Sequence, residues 1–192
     1  MIEAPDIETH PWPPFIPEGA KVLIMGTFPP GPHRWNMNFY YPNRTNDFWY
    51  MMGLIYFGDR KALLDSTGKN FQLDEIKKLL TAHGIAMNDT ARKARRLKGN
   101  ASDKFLEIVE PVLLFELLAH MPLCRDIATT GEKAAQVIAT ITGTDVPKMG
   151  EYTTTEDGMR LWRMPSTSRA YPLKLEEKAA FYSRLLQTAG AL

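Results

Sequence analysis

Short apolar runs alternate along this chain with longer segments in which apolar residues recur every three to four positions. Four of the short runs have the length of a strand and end at a glycine, a proline or a polar pair. They cover residues 21–25, 85–88, 125–130 and 161–164. Continuous runs of this length are typical of strands buried in a parallel sheet, so we expect four such strands.

The segments with the longer apolar period predict the helices. We place these helices at residues 48–55, 73–83, 102–110, 111–120, 132–142 and 173–188. Asn46 is placed to cap the first helix, Gly84 to stop the second and Pro111 to open the fourth. Because strands alternate with helices, the sequence predicts an α/β fold built on a mostly parallel sheet.

Two segments show no regular spacing of apolar residues. Residues 1–20 include four prolines between positions 11 and 17, which favour an extended strap. Residues 26–45 form a long loop rich in glycine, proline and aromatic residues, and such ordered loops are usually functional. The length of 192 residues suits one core, so we expect a single domain over residues 1–192.

Composition limits the possible partners. Hydrophobic residues make up 44% of the chain and charged residues 23%, which is the mix of an ordinary globular domain. The net charge is +1, so any contact with nucleic acid must come from a local patch. Residues 92–98 offer one, with five basic side chains that include Arg92, Arg95 and Arg96. The alternative is that this run is only a solvated surface.

Signals for metals, membranes and secretion are weak. Cys124 is the one cysteine, so it cannot close an intrachain disulfide or hold a metal cluster by itself. No apolar run approaches the roughly 20 residues that span a bilayer. The first ten residues are acidic and lack the apolar core of a secretion signal. We expect a cytoplasmic protein with no metal, no cofactor and no membrane partner.

Parallel strands bring their carboxyl ends to one edge of the sheet, where ligands bind in such folds. The predicted strands are followed by Gly26-Thr27-Phe28-Pro29, Asn88-Asp89, Thr130-Gly131 and Pro165-Ser166-Thr167-Ser168. The first segment lacks the lysine of a phosphate-binding P-loop, so alone it indicates only a turn. The last groups three hydroxyls beside backbone amides, a composition that suits phosphate binding. Its alternative is a hydroxyl-rich turn before the final helix.

The order and spacing of these motifs resemble the uracil-DNA glycosylase superfamily, and most closely its mismatch-specific and hypoxanthine-DNA glycosylase branch. The resemblance runs from about residue 21 to residue 182. It rests on Gly26-Thr27-Phe28-Pro29-Pro30, Tyr40-Tyr41-Pro42, Asn46-Asp47-Phe48-Trp49 and Met164-Pro165-Ser166-Thr167-Ser168-Arg169-Ala170.

That resemblance implies a three-layer α/β/α fold with a central, mostly parallel four-stranded sheet. It also implies a monomeric, metal-free, monofunctional glycosylase that acts on DNA containing a damaged or mismatched base. The enzyme would hydrolyse the N-glycosidic bond of uracil or hypoxanthine flipped out of DNA and leave an abasic site.

The resemblance assigns the chemistry to Asn46, which would orient the attacking water, with the Asp47 carboxylate as an alternative. A helix cap is the other interpretation of Asn46. Better-known branches carry Asp or Asn at the position of Phe28, and their fastest members carry His at the position of Met164. These two departures motivate the alternative of a catalytically weak or inactive DNA- or nucleotide-binding protein with the same fold.

Base binding is expected from residues beside the first two strands. Phe28, Tyr40 and Tyr41 could stack on the extruded base, and Thr27 lies next to them. Asn88 could read the base edge, because its amide offers both a donor and an acceptor. The alternatives are core packing for the aromatic residues and a turn for Asn88.

DNA backbone contacts are expected from the fourth loop and from the basic run. Pro165, Ser166, Thr167 and Ser168 would bind phosphates near the flipped nucleotide, and Arg169 would enter the duplex gap or pair with a phosphate. The basic side chains of Arg92, Arg95 and Arg96 would add further phosphate contacts.

Overall fold

The computed structural model describes residues 5–98 and 102–192. Its strands are β1 (Ile7–Thr9), β2 (Val22–Gly26), β3 (Ile85–Asp89), β4 (Ala91–Arg96), β5 (Leu106–Pro111), β6 (Asp126–Thr130), β7 (Tyr152–Thr154) and β8 (Arg160–Met164). Its helices are α1 (Phe48–Phe57), α2 (Leu73–His83), α3 (Leu114–Ala119), α4 (Glu132–Thr142) and α5 (Leu175–Thr188). None of the helices in the described ranges is long and apolar enough to cross a membrane.

The central sheet has five strands in the order β3-β2-β6-β8-β7. The first four are parallel and match the four predicted strands, which confirms the expected α/β class. The fifth strand, β7, pairs antiparallel with β8, so the expected count of four strands is wrong. This strand has only three residues and two of them are exposed, so it carries no apolar run by which to recognise it.

Helices cover both faces of this sheet. Because successive side chains of a strand point to opposite faces, β2 contributes to two separate clusters. Val22 and Ile24 pack with residues of α1, α2 and α5, whereas Leu23 and Met25 pack with residues of α3 and α4. The expected three-layer arrangement is therefore present, and both sides of β2 are fully buried.

A second sheet of three antiparallel strands, in the order β1-β4-β5, lies outside the sequence prediction. The predicted helix at 102–110 is wrong. A short 3-10 turn at Asp103–Phe105 leads instead into β5. The basic strand β4 and the acidic strand β5 pair through opposite charges, such as Arg95 with Glu107 at 2.7 Å. Pro111 ends β5, and α3 begins three residues later rather than at Pro111.

The strap before β2 is extended and fastened to both sheets. Its strand β1 pairs with β4, and Phe15 forms an isolated bridge with Met87 of the central sheet. Trp12 is 9% exposed and belongs to the core. The strap therefore brings distant residues to the carboxyl end of β3.

Candidate functional site

A cavity of about 690 Å³ opens at the carboxyl ends of β2, β3, β6 and β8. This is the edge at which ligands bind in open parallel sheets. The side chains that matter below are Thr27, Phe28, Arg34, Tyr41, Asn46, Asp89, Asp103, Thr130, Ser166, Thr167 and Ser168. Seven of the predicted site residues are thus brought together from separate parts of the chain, namely Thr27, Phe28, Tyr41, Asn46, Ser166, Thr167 and Ser168.

The floor of the cavity depends on Gly26, the last residue of β2. A Cβ atom on Gly26 would lie 2.8 Å from Asp89 Oδ1, 3.2 Å from the Tyr41 hydroxyl and 3.6 Å from Thr130 Oγ1. The missing side chain therefore leaves room above three polar groups. The hydroxyls of Tyr41 and Thr130 are themselves hydrogen-bonded at 2.7 Å.

Tyr41 is held in an unusual conformation. Its φ of 51° is the one positive value among the described non-glycine residues, a feature that clusters at functional sites. The ring stacks on Phe48, with centroids 4.0 Å apart. Burial raises the pKa of the Tyr41 hydroxyl well above its usual value, and the Asp89 carboxylate raises it further. The hydroxyl is therefore a neutral group that can donate to a ligand.

Asp89 forms a buried pair with His10 of the strap. His10 Nε2 lies 2.8 Å from Asp89 Oδ2, and each side chain is 8% exposed. The other ring nitrogen, Nδ1, lies 2.9 Å from the Trp12 carbonyl oxygen. The imidazole is enclosed by the rings of Trp12, Phe28 and Tyr40, whose centroids are 5.6–5.7 Å away. Sequence reasoning missed this pair because the partners are 79 positions apart.

Asp103 is a second carboxylate at the cavity, placed by the 3-10 turn before β5. The Thr27 hydroxyl donates to Asp103 Oδ2 at 2.9 Å, and the Lys133 ammonium donates to the Asp103 carbonyl at 2.9 Å. Burial raises the pKa of the Asp103 carboxyl, and the Asp89 charge adds to this effect. The Thr27 hydrogen bond and the charges of Lys133 and Arg96 oppose it.

Asn46 lies just before α1 and also lines the cavity. Its Oδ1 accepts the backbone N–H of Phe48, the first residue of α1, at 2.9 Å, but the N-cap position is Asp47, so the predicted cap is off by one residue. Asn46 is half-buried, and its backbone forms a bridge with Ser168. An amide oxygen has two lone pairs, so the bond to Phe48 leaves capacity to accept a hydrogen bond from water.

Asp47 is not in the cavity lining, which corrects its expected role as a water-activating carboxylate. The Lys178 ammonium donates to Asp47 Oδ2 at 3.0 Å, and Arg169 Nε donates to Asp47 Oδ1 at 3.1 Å. Lys178 is fully buried and also donates to the Ser168 carbonyl at 2.8 Å. Asp47 therefore ties α5 to the loop after β8 rather than facing a substrate.

The hydroxyl-rich loop is both a turn and a wall of the cavity. Ser166 Oγ accepts the N–H of Ser168 at 3.2 Å, and Ser168 Oγ accepts the N–H of Ala170 at 3.3 Å. A hydroxyl that accepts still has its own proton to donate, so phosphate binding stays possible. Pro165 is buried outside the lining, with its carbonyl bonded to Tyr182.

Arg169 is held by contacts within the protein, whereas the prediction requires its side chain to reach a duplex gap or a phosphate. Besides its bond to Asp47, its guanidinium donates to the Arg44 carbonyl at 3.2 Å and lies over the ring of Tyr50. Entry into a duplex gap would have to break these contacts.

The basic run lies on β4 and is largely paired. Arg95 pairs with Glu107, Arg96 pairs with Glu8 at 2.7 Å, and Arg92 lies 3.9 Å from a Glu110 oxygen. None of the three arginines lines the large cavity. Phosphate binding by these residues stays a prediction, but their charge is already partly neutralised.

Tyr40 and Asn88 are not brought to this cavity. The Tyr40 hydroxyl donates to Asn88 Oδ1 at 3.2 Å and lies 2.9 Å from the Pro13 carbonyl. Asn88 is opposite Met25 in the sheet, whereas Asp89 is opposite Gly26. Asp89 lines the large cavity and also a separate one of about 370 Å³, whereas Asn88 lines only the separate one.

Within the described ranges, no group of three or more histidine, cysteine, aspartate or glutamate side chains could hold a metal ion. The polar groups of the cavity lining include the Asn46 amide, the hydroxyls of Tyr41 and Thr130, and the carboxylates of Asp89 and Asp103.

Comparison with known proteins finds a shared fold. No protein-family model and no curated protein matches the chain. Among solved structures, the chain is similar to a Methanosarcina acetivorans protein, studied by solution NMR and proposed to be a uracil DNA glycosylase. The alignment has 19% sequence identity and a TM-score of 0.66, and it covers 96% of this chain and 99% of the other.

Proposed function

We propose that this chain is a uracil-DNA glycosylase superfamily member that hydrolyses the N-glycosidic bond of a deaminated base in DNA. The observation that carries the proposal is the large cavity. There an amide, an aromatic ring and a hydroxyl-rich loop converge at the carboxyl ends of the strands in a fold shared with a proposed uracil DNA glycosylase. The sequence motifs behind the family resemblance supply most of these lining residues.

The cavity has the parts that an extruded nucleotide requires. Phe28 is half-buried in the wall, where its ring can stack on a base. The floor offers the Asp89 carboxylate as an acceptor and one proton from the hydrogen-bonded hydroxyls of Tyr41 and Thr130, since the other proton lies between them. Ser166 and Ser168 at the opposite wall can donate to the phosphates that flank the flipped nucleotide.

In the proposed reaction, a water held by the Asn46 amide attacks the sugar carbon C1′. The bond between C1′ and the base nitrogen breaks, and the electron pair leaves with the base. The products are the free base and an abasic site. Positioning the water and binding the separated base are the contributions of the protein.

Substitution of Asn46 tests this reaction, because two variants separate the hydrogen bond to Phe48 from the chemistry. Asn46→Ser keeps an oxygen that can accept the Phe48 N–H but loses the amide, whereas Asn46→Ala loses both. We expect both variants to release uracil or hypoxanthine from duplex DNA about a hundredfold more slowly. Only Asn46→Ala should lose about 1 kcal/mol of stability in urea unfolding. Undiminished base release by a folded Asn46→Ser protein would overturn the assignment.

A second candidate is a protein that binds lesions without releasing the base. Met164 favours this candidate, because it stands where the fastest glycosylases of the superfamily carry His. The Met164 side chain is 1% exposed in the core and does not reach the cavity. This candidate predicts tight binding to lesion-containing duplexes with no free base formed, even over long incubation.

A further inference from the structure

The cavity contains one carboxylate to which the reaction above gives no part. We infer that Asp103 is the general base that takes the proton of the attacking water. This inference rests on the proposed glycosylase function and adds a catalytic residue to it.

Asp103 is fixed at the cavity by two independent contacts. The Thr27 hydroxyl binds its carboxylate, and Thr27 directly follows the floor residue Gly26. The Lys133 ammonium, at the start of α4, donates to the carbonyls of Asp103 and Leu106. The turn that presents the carboxylate is therefore anchored to β2 on one side and to α4 on the other.

No other polar group at the cavity suits this role as well. An amide such as that of Asn46 can orient a water but cannot accept its proton at neutral pH. The carboxylate of Asp47 is occupied by Lys178 and Arg169 outside the lining. Asp89 is committed to His10 through Oδ2. Among the described residues, the hydrogen bond to the Asp103 carboxylate comes from a neutral hydroxyl, that of Thr27.

The surroundings of Asp103 suit a base. Burial is the largest effect and raises the pKa of its carboxyl, and the negative Asp89 raises it further. Lys133 and Arg96 are the cations that oppose this shift, and the Thr27 hydrogen bond opposes it as well. Tyr41 also faces Asp103 as a titratable group. A carboxylate with a raised pKa is a stronger base than an exposed one, which favours proton transfer from water.

The step balances without a further reactant. The water oxygen forms a bond to C1′ as the bond from C1′ to the base breaks, and the bonding pair stays on the base. One water proton passes to an Asp103 oxygen, and the sugar keeps the other as its new hydroxyl. Asp103 then returns its proton to the departing base or to solvent.

The test uses Asp103→Asn in the full chain, measured by single-turnover base release and by DNA binding. The Asn oxygen can still accept from Thr27, so the turn should keep its anchor. We expect about a hundredfold to ten-thousandfold slower release with unchanged affinity for DNA. Asp157→Asn is the matched control, because Asp157 also accepts a threonine hydroxyl, from Thr155, and lies outside the cavity. It should release base at the wild-type rate.

A pH profile separates chemistry from a structural role. Release should slow as the pH falls through the pKa of Asp103, because a general base must be deprotonated. Thr27→Val removes a hydrogen bond that lowers this pKa, so the fall in rate should begin at higher pH. Thr27→Ser keeps the hydroxyl and should keep the wild-type profile. A purely structural Thr27 would not move the profile.

The outcomes separate the two proposals. If the wild-type protein releases neither uracil nor hypoxanthine, the glycosylase function fails and the role of Asp103 fails with it. If the wild type is active and Asp103→Asn stays within about twofold of it, only the role of Asp103 is overturned, because a general base contributes far more. A large loss of base release in Asp103→Asn, together with the wild-type rate in the Asp157→Asn control, supports both the glycosylase function and the role of Asp103.

Discussion

At the scale of single residues, Gly26 decides whether the cavity floor is open. A methyl group there would lie 2.8 Å from Asp89 Oδ1, closer than carbon and oxygen approach without a shift. We expect Gly26→Ala to lower kcat/KM for base release at least about tenfold, because a displaced floor misplaces the base. Enzyme assays measure the loss of activity, and a thermal melt of the same preparation measures the stability of the variant.

Gly31→Ala is the comparison for that variant. Its added methyl group would meet only the exposed ring of His33, at 2.9 Å, and that side chain can rotate away. This variant should release base like the wild type. Equal losses in both variants would show that added bulk in the loop, rather than occlusion of the floor, sets the rate.

Residue-level prediction placed side chains at the cavity where the signal is local and missed contacts that span the chain. Phe28 and the Ser166–Ser168 loop follow from strand ends and Asn46 from the family resemblance, and all of them line the cavity. Asn88 does not line it, because β3 continues to Asp89 and that residue reaches the cavity instead. His10 and Asp103 gave no local signal, since their partners Asp89 and Thr27 are 79 and 76 positions away.

At the scale of elements, the pair between Lys178 and Asp47 fastens α5 to the start of α1. Lys178 is fully buried, so removing its charge leaves the Asp47 carboxylate with only the half-exposed Arg169 as a cationic partner. We expect Lys178→Met to lower the free energy of unfolding by about 3 kcal/mol. Urea denaturation followed by tryptophan fluorescence measures this change.

Lys78 offers a matched control on α2. It pairs with Glu75 at 2.7 Å, but both side chains are largely exposed. Lys78→Met should cost less than about 1 kcal/mol, because water and salt screen an exposed pair. Similar losses for the two lysines would mean that burial does not strengthen the pair with Asp47.

The helices were easier to predict than the strands of the second sheet. Helices α2 and α4 have the predicted limits, since Gly84 and Gly143 end them in left-handed conformations with φ near 66°. The sequence pattern predicts a helix at residues 102–110, whereas residues Leu106–Pro111 form β5. Their strand conformation comes from pairing with β4, which a local pattern cannot show.

At the scale of the whole molecule, a cation at the cavity and a paired cation on β4 should contribute differently to DNA binding. Arg34 lines the exposed side of the cavity, whereas Arg95 is paired with Glu107. We expect Arg34→Ala to reduce the slope of log affinity against log salt by about one, because one phosphate contact is lost. Arg95→Ala should leave the slope nearly unchanged. Fluorescence anisotropy at several salt concentrations gives both slopes, and the reverse result would place DNA across β4 instead.

The overall fold class followed from the alternation of strands and helices, and the three layers followed from the family resemblance. The strap could not be placed from sequence, because proline content predicts an extended chain but not what it packs against. The structure shows that it carries His10 to the cavity-lining residue Asp89 and Trp12 into the core. The cavity is therefore backed by a contact from a segment distant in the sequence.

The proposed hydrolysis of a glycosidic bond at the cavity can be tested with one assay. The protein is incubated, in EDTA, with labelled duplexes that carry one uracil or one hypoxanthine, and the DNA is then treated with alkali. We expect strand cleavage only after alkali, at the lesion and not in intact DNA, together with free base in the supernatant. No cleavage of either duplex by a folded protein that binds both would contradict the proposal.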